Sequence, residues 1–141
     1  MSLLSQTLRI HQMLYERSGG LVGHRLLGVP TLLLRTTGAR TGRTRTNALV
    51  YAKDGDRYVV VASNGGADQA PGWLHNLRDN PSAEIQIGRQ RHPATAEILG
   101  PEAPDYARLW RVVNENNSGR YDAYQARTQR PIPVVTLTPQ A

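Results

Sequence analysis

Short strand-like segments joined by glycine and proline turns fill most of this chain, and they constrain its fold more than any other feature. Asp54-Gly55-Asp56 is a hairpin signal between segments 45–53 and 57–63, and Gly88 divides the stretch 83–99 into two strands. Hairpins join strands that are neighbours in an antiparallel sheet, whereas a doubly wound sheet needs a helix between successive strands. The sequence therefore predicts an α+β fold, a largely antiparallel barrel with helices at its rim.

The chain is expected to form one domain over residues 1–141, because this length buries one core and leaves room for one ligand site. In the N-terminal segment, 1–20, Leu4, Leu8 and other apolar residues have loosely helical spacing, with Arg9 nearby. This helix could pack on the domain, move, or contact a membrane surface. The predicted elements are the helix at 1–20, strands at 31–37, 45–53 and 57–63, a helix at 71–77, strands at 83–87 and 91–99, a helix from Pro101, a helical turn at 121–124 and a strand at 133–137.

A glycine turn rich in arginine and threonine lies within a stretch of 37 residues, Arg17 to Lys53, that contains no acidic residue. Its residues 36–47 read Thr-Thr-Gly-Ala-Arg-Thr-Gly-Arg-Thr-Arg-Thr-Asn. Glycines let the backbone approach a ligand closely, and guanidinium and hydroxyl groups donate hydrogen bonds to phosphate oxygens. We predict a site for a ligand with several negative charges, clamped by Arg40 and Arg45. An ordinary basic surface hairpin is the alternative.

Composition excludes several classes of function. The net charge of +6 comes from sixteen arginines and one lysine, which solvated surface positions explain, and no basic stripe or helix-turn-helix pattern supports nucleic-acid binding. The chain has no cysteine and its histidines are scattered, so we predict no disulfide and no metal site. No apolar run reaches the roughly 20 residues of a membrane span, and no signal peptide is evident, so a cytoplasmic protein is expected.

Two groups of residues could face a flat ligand. Ser63, Asn64 and Gly65 follow a predicted strand, where a hydroxyl and backbone donors can face a ligand, although a simple strand-ending turn has the same residues. Trp73 and Asn76 lie three residues apart, so an aromatic plane and an amide could wall a heteroaromatic ring from one helix face. Core packing explains Trp73 equally well.

Tyr121 and Tyr124 are the candidate proton donors. Their spacing of three residues projects both hydroxyls from one side of a helix. Two phenols can orient a carbonyl or nitro oxygen and donate a proton as charge develops, and packing of both rings in the core is the alternative. The carboxylates are unpaired and no serine-nucleophile motif is present, so glycosidase, aspartic and serine-triad mechanisms have no support. Because cysteine is absent, the chemistry falls to oxygen and nitrogen groups or to a cofactor.

Taken together in this order, the motifs of the chain resemble the deazaflavin-dependent nitroreductase family of actinobacteria over residues 20–138. The motifs that carry the resemblance are 33–42 (LLRTTGARTG), 45–49 (RTNAL), 61–66 (VASNGG), 71–77 (PGWLHNL) and Asn80-Pro81. The resemblance implies a split β-barrel that binds coenzyme F420, a deazaflavin with a phosphate and an oligoglutamate tail. This agrees with the polyanionic ligand and flat ring expected from the residues themselves.

The resemblance also implies roles for individual residues. The glycine turn would hold the phosphate and the tail, and the strand ends would contact the deazaflavin. The helix at 71–77 would close the site. The implied coenzyme contacts are Arg40, Thr41, Gly42, Arg45, Thr46, Asn47, Ala48, Ala62, Ser63, Asn64, Gly65, Gly72, Trp73 and Asn76, and the implied catalytic residues are Tyr121, Tyr124 and Ser63. Ala39 replaces a basic residue common in the family, which should weaken tail binding slightly.

The implied activity is hydride transfer from the reduced deazaflavin to a quinone, a nitro compound or an activated alkene, with a proton from Tyr121, Tyr124 or water. One alternative is an FMN-dependent oxidoreductase on the same barrel. Another is a protein that binds or carries coenzyme F420 without catalysis. The sequence leaves open the physiological acceptor, the reduction of nitroimidazole prodrugs and the oligomeric state.

Overall fold

The computed structural model describes residues 30–140, which fold around one curled antiparallel sheet of seven strands. The strands are β1 (Thr31–Thr37), β2 (Thr44–Val50), β3 (Ala52–Asp54), β4 (Arg57–Val61), β5 (Ser82–Ile87), β6 (Gln90–Leu99) and β7 (Val134–Pro139). Their order across the sheet is β2-β1-β5-β6-β7-β4-β3. The predicted α+β class and split β-barrel are confirmed. The helix predicted at 1–20 lies outside the described residues.

The curl of the sheet depends on a break in one predicted strand. Segment 45–53 was expected to be continuous, but it divides at Tyr51 into β2 and β3. The half before the break pairs with β1, ending at Val50 opposite Thr31, and the half after it pairs with β4, starting at Ala52 opposite Val59. The prediction of one strand was wrong because this segment serves both ends of the sheet, which brings the two edges together as a half-barrel.

Two buried clusters lie on opposite faces of the sheet, as the alternation of side chains along β4 shows. Val60 belongs to the first cluster, and its neighbours Val59 and Val61 belong to the second. Helix α1 (Gly72–Asp79) covers the first cluster with Leu74 and Leu77. Full burial of a leucine side chain stabilises a fold by about 1.5–3 kcal/mol, so these two side chains hold α1 on the sheet.

Helices α2 (Tyr106–Asn116) and α3 (Arg120–Gln125) cover the second cluster. Leu109 and Val113 of α2 are fully buried there. The expected start at Pro101 was wrong, and residues 101–105 form turns instead. Pro104 explains the difference, since a proline disfavours helical backbone in the residue before it. No helix within residues 30–140 is long and apolar enough to span a membrane.

An ionic contact ties the β3–β4 hairpin to α2. The Asp54 carboxylate accepts hydrogen bonds from Arg57 Nη2 at 2.6 Å and from Arg108 Nη1 at 2.8 Å. The hydrogen bond from Arg108, followed by that from Arg57, lowers the pKa of Asp54 from 3.8 to about 2. The hairpin is thereby fixed beside the second cluster, on the side of the sheet away from α1.

Candidate functional site

A cavity of about 880 Å³ lies between the glycine turn, β2 and the first residues of α1. Both arginines of the predicted anion clamp line this cavity, and so do both predicted ring contacts on α1, Trp73 and Asn76. The predicted coenzyme contacts that line the cavity are Arg40, Thr41, Arg45, Thr46, Asn47, Gly72, Trp73 and Asn76. The predicted contacts that do not line it are Gly42, Ala48, Ala62, Ser63, Asn64 and Gly65.

Backbone hydrogen bonds give the glycine turn its shape. The N–H of Gly38 donates to the carbonyl oxygen of Arg43 at 2.8 Å, and the N–H of Gly42 donates to the carbonyl oxygen of Gly38 at 2.9 Å. Gly42 has a φ of +70°, a conformation that favours glycine. The hydroxyl of Thr41 accepts a hydrogen bond from the N–H of Arg43 at 3.2 Å. The turn is therefore built by its own backbone, and the Thr41 hydroxyl keeps its proton for a ligand.

The arginines of the turn differ from the arginine that precedes it. Arg35 is largely buried in an ion pair with Glu84 at 3.2 Å. Within residues 30–140, no carboxylate lies within ion-pair distance of Arg40, Arg43 or Arg45. Arg40 and Arg45 line the cavity and Arg43 does not. The cavity consequently carries positive charge that the described carboxylates leave uncompensated, which is the electrostatic condition for binding an anion.

Asn76 joins the glycine turn to α1. It is only 9% exposed, and its Nδ2 donates to the hydroxyl of Thr36 at 3.1 Å while its Oδ1 accepts from the N–H of Ala39 at 3.0 Å. The sequence suggested that this amide contacts a ligand. In the structure the amide also has a structural role. Its two hydrogen bonds connect α1 to β1 and to the glycine turn that carries Arg40 and Arg45.

Trp73 belongs both to the cavity and to the core. Its side chain is 5% exposed and packs in the first buried cluster, yet the residue also lines the cavity. A ring packed in this buried cluster cannot turn away from the cavity without exposing apolar surface. It gives the cavity a rigid aromatic wall.

The loop after β4 lies outside the cavity lining. Ala62 packs in the same buried cluster as Trp73, and Ser63 is 8% exposed. Asn64–Gly66 forms a short 3₁₀ turn, in which the amide of Asn64 donates to the carbonyl oxygen of Gln69 at 3.0 Å. The loop thus borders the first cluster next to the cavity wall, and the assignment of its residues as ring contacts and of Ser63 as catalytic stays a prediction.

Tyr121 and Tyr124 also lie away from the cavity lining, in the second cluster under α2 and α3. Tyr121 is 5% exposed, and burial raises the pKa of its hydroxyl while a hydrogen bond with Asn117 acts in the opposite direction. The rings of Tyr121 and Tyr124 meet edge to face, with centroids 6.0 Å apart. Tyr121 therefore serves as a core residue, and the catalytic role predicted for the pair stays a prediction.

Four residues that line the cavity were not predicted as individual contacts, namely Gly38, Ala39 and Thr44 of the predicted turn and His75 of α1. His75 could have been found by helical spacing, because it lies three residues after Gly72 on the same face. Ala39 lies in the turn itself, where its N–H rather than its side chain makes the contact with α1. Within the part of the chain that the structure describes, no three histidine or acidic side chains gather as metal ligands would.

Comparison with known proteins adds the following findings. The profile of the F420H(2)-dependent quinone reductase family matches residues 7–139. An F420H(2)-dependent quinone reductase of Mycobacterium tuberculosis is 55% identical over 134 residues, which are 94% of this chain and 90% of that protein. A solved F420-H2 dependent reductase has a TM-score of 0.69 and 34% identity over 77% of this chain and 93% of its own. A structure described as a domain-swapped dimer has a TM-score of 0.71 and 32% identity over 96% of each chain.

Proposed function

Because the chain belongs to the F420H(2)-dependent quinone reductase family, it is an oxidoreductase that uses coenzyme F420, and we propose that it transfers a hydride from the reduced coenzyme to a quinone. The observation that carries this proposal is the cavity between the glycine turn and α1. It combines two cations without a carboxylate partner in residues 30–140, Arg40 and Arg45, with the rigid wall of Trp73.

The residues of the cavity fit a deazaflavin that carries a phosphate and an acidic tail. A volume of about 880 Å³ is within the range of cofactor sites. Guanidinium groups donate in a fork that matches phosphate and carboxylate oxygens, and the exposed positions of Arg40 and Arg45 let the acidic tail extend toward solvent. We propose that these two side chains, with the Thr41 hydroxyl, hold the anionic part of the coenzyme.

The remaining residues orient the ring and exclude water from it. Trp73 supplies a flat apolar wall, and Asn76 keeps the glycine turn at a fixed distance from α1. Gly72 lies at the start of α1, where N–H groups without helical partners favour negative charge. When bound, reduced coenzyme F420 supplies the hydride, so the protein is left with binding, orientation and proton supply.

Proton supply to the reduced acceptor is assigned, as a proposal, to the hydroxyl of Tyr124 and to Ser63. Tyr124 is half-buried at the edge of the second cluster, whereas Tyr121 is deeply buried beside it. Gly66 packs against the backbone of Tyr124, which brings the loop after β4 and helix α3 together. Tyr121 then supports the ring of Tyr124 through their edge-to-face contact.

The test is a single-turnover experiment without oxygen. Purified protein with reduced coenzyme F420 is mixed with menadione, and the return of the deazaflavin absorbance is followed. Reoxidation faster than in a protein-free control supports a quinone reductase. Tight binding of the coenzyme with no acceleration, over a panel of quinones, nitro compounds and activated alkenes, would instead favour a coenzyme carrier.

We further propose nitro compounds and activated alkenes as alternative acceptors. We also propose a cytoplasmic location, with a membrane contact through residues 1–20 as the alternative. The relative that forms a domain-swapped dimer makes self-association a reasonable proposal for this chain, and sedimentation of the purified protein would test it.

A further inference from the structure

Arg130, outside the cavity, hydrogen-bonds to the loop that follows β4. Its Nη2 donates to the carbonyl oxygens of Ala62 at 3.2 Å and Ser63 at 2.9 Å, and its Nε donates to the carbonyl oxygen of Ala67 at 2.9 Å. A planar guanidinium holds several acceptors in one fixed arrangement, which the ammonium group of lysine does not reproduce. The two ends of loop 62–67 are thereby joined through one rigid side chain.

The segment that carries Arg130 is itself fixed. Nε2 of Gln125, at the end of α3, donates to the carbonyl oxygen of Arg130 at 2.9 Å, and its Oε1 accepts from the N–H of Ile132 at 3.0 Å. Ile132 is fully buried in the second cluster. The Thr128 hydroxyl also donates to Asp68 at 2.7 Å, just beyond the loop. Arg130 is therefore fixed relative to α3 and the second cluster, and its hydrogen bonds hold loop 62–67 in place relative to both.

Gly66 shows how closely the loop packs on α3. Its φ is +85°, and a Cβ atom at this position would lie 2.7 Å from the carbonyl oxygen of Tyr124 and 3.0 Å from its Cα. Only glycine fits such an approach without displacing backbone. The middle of the loop is thus in contact with α3, while its two ends are held by Arg130.

We propose that Arg130 is a positioning residue for hydride transfer, which acts by fixing the loop that carries Ser63. This inference rests on the proposed function, to which it adds that the loop carrying Ser63 borders the bound deazaflavin ring while Arg40 and Arg45 hold the anionic part. Loss of the contacts from Arg130 then changes the placement of the ring more than the grip on the tail. The rate of the chemical step falls, and the affinity for the coenzyme changes little.

The test compares Arg130→Gln and Arg130→Lys with Arg111→Gln, a control at an exposed arginine of α2 that has no carboxylate partner within residues 30–140. Amide hydrogen exchange is measured over residues 63–67 in the coenzyme-free protein. Dissociation constants for coenzyme F420 and single-turnover rates with menadione are then measured for each variant. The exchange measurement reports on how firmly Arg130 holds loop 62–67, independently of activity.

We expect faster exchange at Gly66 and Ala67 in Arg130→Gln and no change in the control. A reacting group displaced by about 1 Å can lose roughly 100-fold in rate, so the single-turnover rate should fall between about 10-fold and 100-fold. The dissociation constant should change by less than about threefold, because loss in a transition-state interaction alone leaves ground-state binding intact. Arg130→Lys keeps the charge and some donors, so its single-turnover rate should lie between those of the unsubstituted protein and Arg130→Gln.

Equal single-turnover rates in the folded Arg130 variants would overturn the positioning role, even if their thermal stability were lower. A higher dissociation constant for coenzyme F420 with an unchanged single-turnover rate would overturn it as well. Failure of the unsubstituted protein to bind or oxidise the reduced coenzyme would contradict the proposed function, and with it the role of Arg130 in the reaction. That failure is recognised before any substitution is made.

Discussion

Replacing Asn76 by alanine tests whether the glycine turn depends on α1 for its position. The substitution removes the hydrogen bond to the Thr36 hydroxyl at 3.1 Å and the one from the Ala39 N–H at 3.0 Å. Each is worth about 1 kcal/mol net, so the free energy of unfolding should fall by about 2 kcal/mol. For a chain of this size, at roughly 3 °C per kcal/mol, the melting temperature should fall by about 6 °C.

The same substitution should weaken coenzyme binding, because a turn released from α1 must be ordered again when the ligand binds. We expect the dissociation constant for coenzyme F420 to rise about tenfold, which corresponds to about 1.4 kcal/mol. Calorimetric melting and fluorescence titration measure the two effects on one preparation. Arg78→Ala is the matched control, since Arg78 is exposed on the same helix and should change neither quantity.

Two results would refute this reasoning about Asn76. A lower melting temperature with unchanged affinity would mean that the amide stabilises the fold without placing the clamp. Lower affinity with an unchanged melting temperature would mean that the amide contacts the ligand directly, as first expected from the sequence, and that its bonds to the turn contribute little.

Three further predictions concern the clamp, the tyrosines and acid stability. Replacing Arg40 and Arg45 together by alanine should weaken coenzyme F420 binding by at least about 1.5–3 kcal/mol, the value of a hydrogen bond to a charged group, and unchanged affinity in a titration would remove them from the clamp. Replacing Tyr121 and Tyr124 together by phenylalanine should lower turnover at least about tenfold with little change in affinity, because a general acid contributes roughly 10²–10⁴-fold; equal turnover would leave both rings with a packing role alone. The pKa of Asp54 is lowered from 3.8 to about 2, so its ion pairs stabilise the fold above about pH 4 and are lost as the pH falls through about 2. Asp54→Asn should therefore cost up to about 1 kcal/mol near pH 7 and much less near pH 2. Urea unfolding at the two pH values would contradict this if the cost were equal.

The sequence predicted those parts of the fold that local rules decide. The apolar run of β1, the hairpin at Gly55 and the helix that begins after Pro71 each carry their own signal in turn residues and periodicity. The break at Tyr51 carries no such signal. It follows from the closure of the sheet, which pairs the two halves of one segment with different partners.

The candidate site was predictable to a similar degree. Arg40, Arg45 and Trp73 line one cavity, as composition and motif order indicated. The hydrogen bonds of Asn76 to the glycine turn and of Arg130 to loop 62–67 were not predicted, because each joins residues far apart in the sequence. Such contacts depend on how the sheet curls, and no local pattern records them.

The most direct test of the central claim is a fluorescence titration of the purified protein with oxidised coenzyme F420 beside FMN. The account predicts saturable binding of coenzyme F420 that weakens with added salt, because Arg40 and Arg45 hold its anionic part. It predicts much weaker binding of FMN, which lacks the acidic tail. Preference for FMN, or no binding of coenzyme F420 at low salt, would contradict it.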